Sequence, residues 1–213
     1  MNGVFAEWLE EDRLIGIIRT SSADDAVAAA HDLVDGGVRL MEFSLSGGGA
    51  LSAIEQSAGA HASRVLIGAG TVLSVKQASE ALKAGAGFLV SPTLVPEVVK
   101  WAAERDVPAI PGAMTPSEIW DAHTAGAAFI KVFPAGSLGP SYIRALLNPF
   151  PHLRLVPTGG VTLSDAHDYI RAGATAVAVA GALTHPVEGG DGLARRAQEL
   201  LRRLRAVRDL DAA

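Results

Sequence analysis

The chain contains no cysteine among its 213 residues, which excludes disulfide bonds, thiolate catalysis and cysteine-ligated metal sites. It also lacks any apolar run close to the roughly 20 residues that a membrane-spanning helix needs. Excess positive charge is absent, since the net charge is −5 and the pI is about 5.6, which argues against a nucleic-acid or anionic-membrane partner. The first dozen residues lack the basic start of a signal peptide. These absences predict a soluble, cytoplasmic protein.

A metal-ligand pattern is missing as well. Zinc sites need histidine, cysteine or carboxylate ligands at short, regular spacings. The six histidines are instead scattered through predicted helices and connections, at His31, His61, His123, His152, His167 and His185. We therefore expect no metal site.

Lysine is scarce, and one of the four lysines lies where a charged amine is costly. Lys131 lies within Ala127–Ala135, an apolar run typical of a buried strand, whereas Lys76, Lys83 and Lys100 lie in amphipathic helical segments. Burial lowers the pKa of an ammonium towards that of a neutral, nucleophilic amine, which is what Schiff-base chemistry on a carbonyl requires. A structural lysine paired with a buried carboxylate is the alternative, and the residue alone does not decide between the two.

Short apolar runs alternate with amphipathic helical stretches along the whole sequence. The predicted strands are Leu14–Arg19, Val38–Ser44, Val65–Gly68, Gly87–Val90, Val107–Pro111, Ala127–Phe133, Leu153–Pro157 and Thr175–Ala180. Each gap is long enough for one helix, with glycine at several helix ends and capping boxes at Ser74 and Thr115. The pattern predicts an α/β protein, a (β/α)₈ TIM barrel formed as a single domain by residues 1–213, with a short N-terminal helix at Met1–Glu11. A doubly wound open sheet is the main competing fold.

Active sites of such barrels lie at the C-terminal ends of the strands, where a guanidinium, a carboxylate and an amine converge in this sequence. Arg19 ends the first predicted strand, Glu42 lies in the second and Lys131 in the sixth. Glu42 is either the ion-pair partner of Lys131 or an acid–base group held near neutrality. Arg19 is either a rim charge or a fixed positive charge that lowers the lysine pKa or holds a substrate carboxylate. Thr71, after a glycine-rich turn, is either a helix cap or a hydrogen-bonding ligand for a carboxylate.

A Gly-Gly turn follows the seventh predicted strand, at Thr158-Gly159-Gly160. Phosphate sites in these barrels use the loops after strands seven and eight, where backbone N–H groups meet a helix N-terminus. The position of this turn indicates a phosphate-binding loop, although the Gly-Gly pair alone is a weak signal.

Several motifs in order resemble one known family. They are Gly68-Ala69-Gly70-Thr71-Val72-Leu73, Ser91-Pro92, Pro111-Gly112 with Thr115-Pro116-Ser117-Glu118, Lys131-Val132-Phe133-Pro134-Ala135, Gly139-Pro140-Ser141-Tyr142-Ile143-Arg144-Ala145-Leu146 and Pro157-Thr158-Gly159-Gly160-Val161. The set is similar to the class I aldolases for 2-keto-3-deoxy-6-phosphogluconate (KDPG) and 4-hydroxy-2-oxoglutarate (KHG). The similarity covers nearly the whole chain.

The resemblance implies a chemical role for the residues at the barrel mouth. Lys131 would form a Schiff base with the C2 ketone of a 2-keto acid, and Glu42 would be the general acid–base group. Cleavage would give pyruvate and either glyceraldehyde 3-phosphate or glyoxylate. Arg19 and Thr71 match positions associated with the substrate carboxylate.

The resemblance also implies the remaining features of the site. Pro92 and Phe133 would line its apolar wall, and further substrate-binding positions would be Thr158, Gly159, Gly160, Gly181 and Ala182. It implies no metal or organic cofactor, a small-molecule 2-keto acid as the binding partner, and a homotrimer.

Two departures from the family pattern concern the far end of the substrate. After the glutamate, many members carry a basic or polar residue where this chain reads Ser44-Leu45-Ser46-Gly47, and Gly181-Ala182 replaces a Gly-Ser pair that helps to bind phosphate. Two alternatives follow: a metal-free sugar-phosphate isomerase or epimerase on the same barrel, and a non-catalytic paralogue that binds a keto acid.

Overall fold

The computed structural model describes residues 2–61, 64–184 and 192–211. Short strands recur throughout these residues. They are β1 Leu14–Ile18, β2 Leu40–Ser44, β3 Leu66–Gly70, β4 Phe88–Val90, β5 Ala109–Ile110, β6 Gly112–Ala113, β7 Ile130–Val132, β8 Leu155–Pro157 and β9 Val177–Val179.

Helices separate most of these strands. They are α1 Asn2–Asp12, α2 Ala23–Asp35, α3 Ala50–His61, α4 Val75–Lys83, α5 Pro96–Ala103, α6 Pro116–Thr124, α7 Gly139–Leu147, α8 Ala166–Arg171, α9 Gly181–Thr184 and α10 Leu193–Asp211, with a 3₁₀ turn at Ala135–Ser137. The search for a helix both long and apolar enough to cross a membrane found none in the described ranges.

The chain is an α/β protein built on a curled parallel sheet. Six strands pair in the order β5-β4-β3-β2-β1-β9, and a second parallel sheet has the order β6-β7-β8. This confirms the predicted α/β class and the parallel pairing. A full eight-stranded barrel is not confirmed, because the strands pair as two sheets and the predicted strand Val107–Pro111 is reduced to β5 at Ala109–Ile110. Pro111 separates β5 from β6, since proline has no N–H group with which to continue a sheet ladder.

Both faces of the strands are buried, and their alternation divides the apolar residues into two sets. In β1, Leu14 and Ile18 pack under the helices, whereas Ile15 and Ile17 belong to a separate interior cluster. Successive side chains of a strand point to opposite faces, so residues two apart share a side. Leu40 of β2 belongs to the interior cluster, and Glu42 and Ser44 therefore lie on that same face.

The predicted N-terminal helix is present as α1 and closes one end of the interior. Phe5 is fully buried, with its ring centroid 4.9 Å from that of Phe88 and 5.7 Å from that of Phe129. Leu9, one helical turn further on, is buried in the same cluster. Aromatic and aliphatic side chains thus form a dry floor beneath the opposite end, where the polar residues lie.

Helix ends follow the expected chemistry with one difference. The capping box of α6 is complete, because Thr115 accepts from the Glu118 amide and the Glu118 carboxylate accepts from the Thr115 amide. At α4, Ser74 caps the Gln77 amide, but the Gln77 side chain accepts from Leu73 instead of Ser74. The helix-to-strand glycines predicted at the C-terminal ends adopt positive φ angles, at Gly37, Gly85, Gly126 and Gly173.

A buried carboxylate joins α1 to the sheet and to α10. Asp12 is 1% exposed and accepts two hydrogen bonds from Arg39, at 2.6 and 2.7 Å, and one from Nη2 of Arg205 at 2.6 Å. Two charge-assisted partners compensate for the removal of this carboxylate from water.

We predict that Asp12→Asn lowers the free energy of unfolding by about 2–3 kcal/mol in urea denaturation. Removing one partner of a buried ion pair costs roughly 3–5 kcal/mol, and partial exposure of the two arginines reduces the loss. The matched control is Glu10→Gln, which removes the exposed partner of Arg154 and should change stability by less than about 0.5 kcal/mol. Equal losses in the two variants would contradict this role for Asp12.

Candidate active site

The sheet register aligns the polar residues of neighbouring strands at one end of the interior. Glu42 of β2 pairs with Ile17 of β1 and Gly68 of β3, and Ser44 pairs with Gly70. On the other side of the interior, Lys131 of β7 pairs with Gly112 of β6 and Val156 of β8.

The Glu42 carboxyl group is buried and poorly supplied with hydrogen bonds. Its residue is 2% exposed, and Oε2 has no hydrogen-bond partner within the described part of the chain. Burial raises the pKa of Glu42, because a carboxylate in a dry site loses its hydration. The positive charges of Lys131 and Arg19 oppose this shift but do not reverse it.

The buried amine of Lys131 has a pKa shifted in the opposite direction. Lys131 is 7% exposed, and its backbone is fixed in the sheet by a hydrogen bond to the Pro111 carbonyl at 2.9 Å. Burial lowers the pKa of Lys131; the negative charge of Glu42 raises it and the positive charge of Arg19 lowers it further. The Nζ atom lies 5.2 Å from the centroid of the Phe133 ring. The amine is therefore biased towards its neutral, nucleophilic form.

Two glycines of β3 make room on the interior face. A Cβ atom on Gly68 would lie 2.4 Å from the Phe88 ring, and a Cβ atom on Gly70 would lie 1.7 Å from Oε1 of Glu42. The space beside the first glycine holds part of the aromatic floor, and the space beside the second holds the acidic group of the site.

A cluster of hydroxyl groups lies beside Glu42. Ser44 Oγ lies 2.8 Å from Ser46 Oγ and 3.0 Å from Thr71 Oγ1, and Arg19 Nε donates to it over a long 3.5 Å. Thr71 has φ +62°, a left-handed conformation that is uncommon for a β-branched residue. Such outliers concentrate at functional sites, which favours a role for Thr71 beyond helix capping.

The turns after β7 and β8 pack against each other through glycine. Gly159 and Gly160 both have φ +81°. A Cβ atom on Gly159 would meet the Phe133 ring at 2.7 Å, and one on Gly160 would meet the Gly136 backbone at 2.9 Å. The Thr158 hydroxyl donates to the Val156 carbonyl of its own strand at 3.0 Å. The threonine hydroxyl is therefore engaged within its own strand.

Pro92 and Phe133 line a cavity of about 250 Å³ together with Met114 and the carboxylate-bearing side chains of Glu118 and Asp121. Met114 and Phe133 are exposed there. The two residues predicted to form an apolar wall therefore lie together, in a cavity of mixed polarity.

For the predicted substrate-binding positions Gly181 and Ala182, the structure gives no side-chain contact. Gly181 begins α9, and the side chain of Ala182 lies outside the described residues. Among the residues described, no group of three or more histidine, aspartate or glutamate side chains is arranged to hold a metal ion.

The sequence prediction missed Ser44 and Gly70 as components of the site. Period-two alternation was the available signal for Ser44, since it places that residue on the same face as Glu42. Gly70 could not be recognised in this way, because its contribution is the space that it leaves empty.

The profile of a family described as KDPG and KHG aldolase matches residues 5–190. The chain belongs to this aldolase family. The expected resemblance is thereby confirmed.

Individual relatives agree with this assignment. A 2-dehydro-3-deoxy-phosphogluconate aldolase of Treponema pallidum is 40% identical over 168 residues, which are 77% of this chain and 78% of that protein. A 2-dehydro-3-deoxy-6-phosphogalactonate aldolase of Escherichia coli is 31% identical over 204 residues, 95% of this chain and 98% of that one. The crystal structure of a Legionella pneumophila KDPG aldolase, with pyruvate captured as a covalent carbinolamine intermediate, has a TM-score of 0.78 at 26% identity and covers 95% of this chain and 97% of that chain.

We predict that the two neighbouring charges shift the titration of Lys131 in this aldolase in opposite directions. Arg19→Gln removes a positive charge that lowers the lysine pKa, so the pKa should rise; Glu42→Gln removes a negative charge that raises it, so the pKa should fall. The measurement is the pH dependence of labelling by an amine-reactive reagent, followed at Lys131 by mass spectrometry with exposed Lys76 as the reference. Shifts in the same direction would contradict the electrostatic coupling.

Proposed function

We propose that Lys131 and Glu42 carry out the class I aldolase reaction of this family. The substrate is a 2-keto-4-hydroxy acid, KDPG or KHG, and the products are pyruvate and either glyceraldehyde 3-phosphate or glyoxylate. The observation that carries the proposal is the pairing of a buried amine whose pKa is lowered with a buried carboxyl group whose pKa is raised, in one interior.

The chemistry begins with attack of the neutral Lys131 amine on the C2 ketone. Loss of water from the carbinolamine gives a protonated Schiff base, with Glu42 passing the protons. Glu42 then takes the proton of the C4 hydroxyl, the C3–C4 bond breaks, and its electron pair moves into the iminium to give the enamine. Protonation at C3 and hydrolysis of the imine release pyruvate and restore the amine.

The substrate carboxylate is held by Arg19 and by the hydroxyl cluster of Ser44, Ser46 and Thr71. A guanidinium and short hydroxyl donors suit a carboxylate, and a positive group at this end also favours the neutral form of the lysine. Pro92 and Phe133 form the apolar wall that keeps water from the reacting carbons.

The far end of the substrate lies against the turns after β8 and β9. Gly159 and Gly160 allow a close approach of their backbone to an anion, and the start of α9 at Gly181 contributes another amide. Ala182 provides no hydroxyl, and the loss of one such hydrogen bond weakens binding by about 1 kcal/mol, or more to a charged acceptor. The phosphate end is therefore held more weakly than it would be with a serine at position 182.

We also propose that the two sheets close into a (β/α)₈ barrel. The support is the direct continuation of β5 into β6 through Pro111 and the parallel bridge between Thr158 and Ala178, which joins the end of β8 to β9. From the family resemblance we further propose a cytoplasmic homotrimer whose binding partner is the small-molecule keto acid, without a metal or organic cofactor.

We predict that pyruvate with borohydride traps a reduced adduct on Lys131. Lys131 is the one lysine among the described residues of the site, so Lys131→Met should abolish the adduct, while Lys100→Met on α5 should leave it intact. Mass spectrometry of the digested protein locates the modification. An unmodified Lys131 at millimolar pyruvate would overturn the aldolase proposal and favour the isomerase or the non-covalent keto-acid binder.

We predict that the preference for the phosphorylated substrate depends on the turn after β8. Gly160→Ala forces a side chain into a left-handed backbone position and against the Gly136 backbone, so it should raise KM for KDPG at least tenfold and change KM for KHG much less. The assay couples pyruvate formation to its enzymatic reduction. A larger effect on KHG, or equal effects on both substrates, would show that this turn does not bind the phosphate.

A further inference from the structure

The Gly70 position on β3 is occupied by glycine for reasons of space alone. Gly70 is absent from the glycines with a positive φ angle, so its backbone conformation is open to other residues. A Cβ atom there would lie 1.7 Å from Oε1, 2.4 Å from Cδ and 2.6 Å from Cγ of Glu42. Any side chain at this position therefore displaces the carboxyl group.

At Oε2, no hydrogen bond from the described residues fixes the orientation of the Glu42 carboxyl group. Oε2 is buried and has no donor among the residues that the structure describes. A carboxyl group normally relies on such donors to fix its rotamer, and donors would also lower its pKa. The slot above Gly70 limits the positions of this group by shape, and Oε2 has no donor among the described residues that would favour the ionised form.

Gly68 provides a matched comparison on the same face of the same strand. Its missing side chain makes room for the Phe88 ring, at 2.4 Å from a Cβ atom, and that ring belongs to the aromatic floor. Gly68 is therefore a packing glycine, whereas the neighbour of Gly70 is the end of a flexible side chain that can swing away. Replacement of Gly70 should leave the fold intact and move only the carboxyl group.

We propose that Gly70 is a positioning residue, which sets the location of the Glu42 carboxyl group by leaving a slot for it on the interior face of β3. The inference rests on the proposed function of Glu42 as the acid–base group. In this role Gly70 acts through Glu42 and not by direct contact with the substrate.

The test is exchange of the C3 hydrogens of pyruvate in D₂O, followed by proton NMR. The Schiff base of pyruvate loses a C3 proton to the base, the resulting enamine takes up a deuteron, and no other reactant is needed. Gly70→Ala should slow the exchange at least tenfold. In the pH profile of the exchange rate, the acidic limb of Gly70→Ala should also lie at lower pH. A Glu42 carboxyl group displaced towards water regains hydration, so the pKa of Glu42 falls.

A double-mutant cycle separates positioning from general damage. In a Glu42→Ala background the added methyl group at position 70 has room, so Gly70→Ala should cause no further loss of exchange. Gly68→Ala is the structural control, for which we expect lower stability with an unshifted acidic limb.

The outcomes are distinct. If the wild type exchanges the C3 hydrogens and Gly70→Ala leaves the rate unchanged, the proposed role of Gly70 is overturned. It is also overturned if Gly70→Ala slows the exchange by the same factor with and without Glu42. Absence of exchange in the wild type would overturn the proposed aldolase chemistry itself.

Discussion

Burial of two oppositely charged groups in one interior is the constraint on which the site depends. For both residues desolvation outweighs attraction: the pKa of Glu42 rises although Lys131 and Arg19 pull it down, and the pKa of Lys131 falls although Glu42 pulls it up. A direct, fully hydrogen-bonded ion pair would have the opposite effect and would hold both groups charged. The interior therefore brings both groups closer to neutrality, where each can exchange a proton.

The same alternation of side chains that builds the core delivers these groups to the interior. Leu40 and Glu42 share one face of β2, so the apolar floor and the acidic group follow each other along a single strand. The floor, in which Phe5 packs on Phe88 and Phe129, excludes water from beneath the site. The pKa shifts of Glu42 and Lys131 come from their own burial, so the interior that holds the apolar core also holds the acid–base pair.

Much of this arrangement could be predicted from the sequence, because it follows from local pattern. An apolar run around Lys131 predicts a buried amine, and the strand period places Glu42 and Arg19 at the same end of the sheet. The sequence did not show that a further short strand, Gly112–Ala113, follows Pro111 in a second sheet, because a two-residue strand leaves no pattern in the sequence. The slot above Gly70 and the packing of Gly159 on Phe133 depend on residues distant in sequence, and only coordinates show them.

The hydroxyl cluster changes how Arg19 should be understood. Taken from its strand alone, Arg19 is an exposed charge at a rim, which surface arginines commonly are. By the family resemblance, Ser46 lies in the segment where many members carry a basic or polar residue. Ser44 brings that serine, Thr71 and the Arg19 side chain within hydrogen-bonding range of one oxygen atom. A short serine cannot supply positive charge, so the guanidinium nearest to the cluster is the cation available to a carboxylate bound there. Under the proposed function, Arg19 on the neighbouring strand supplies the positive charge at the carboxylate end of the site.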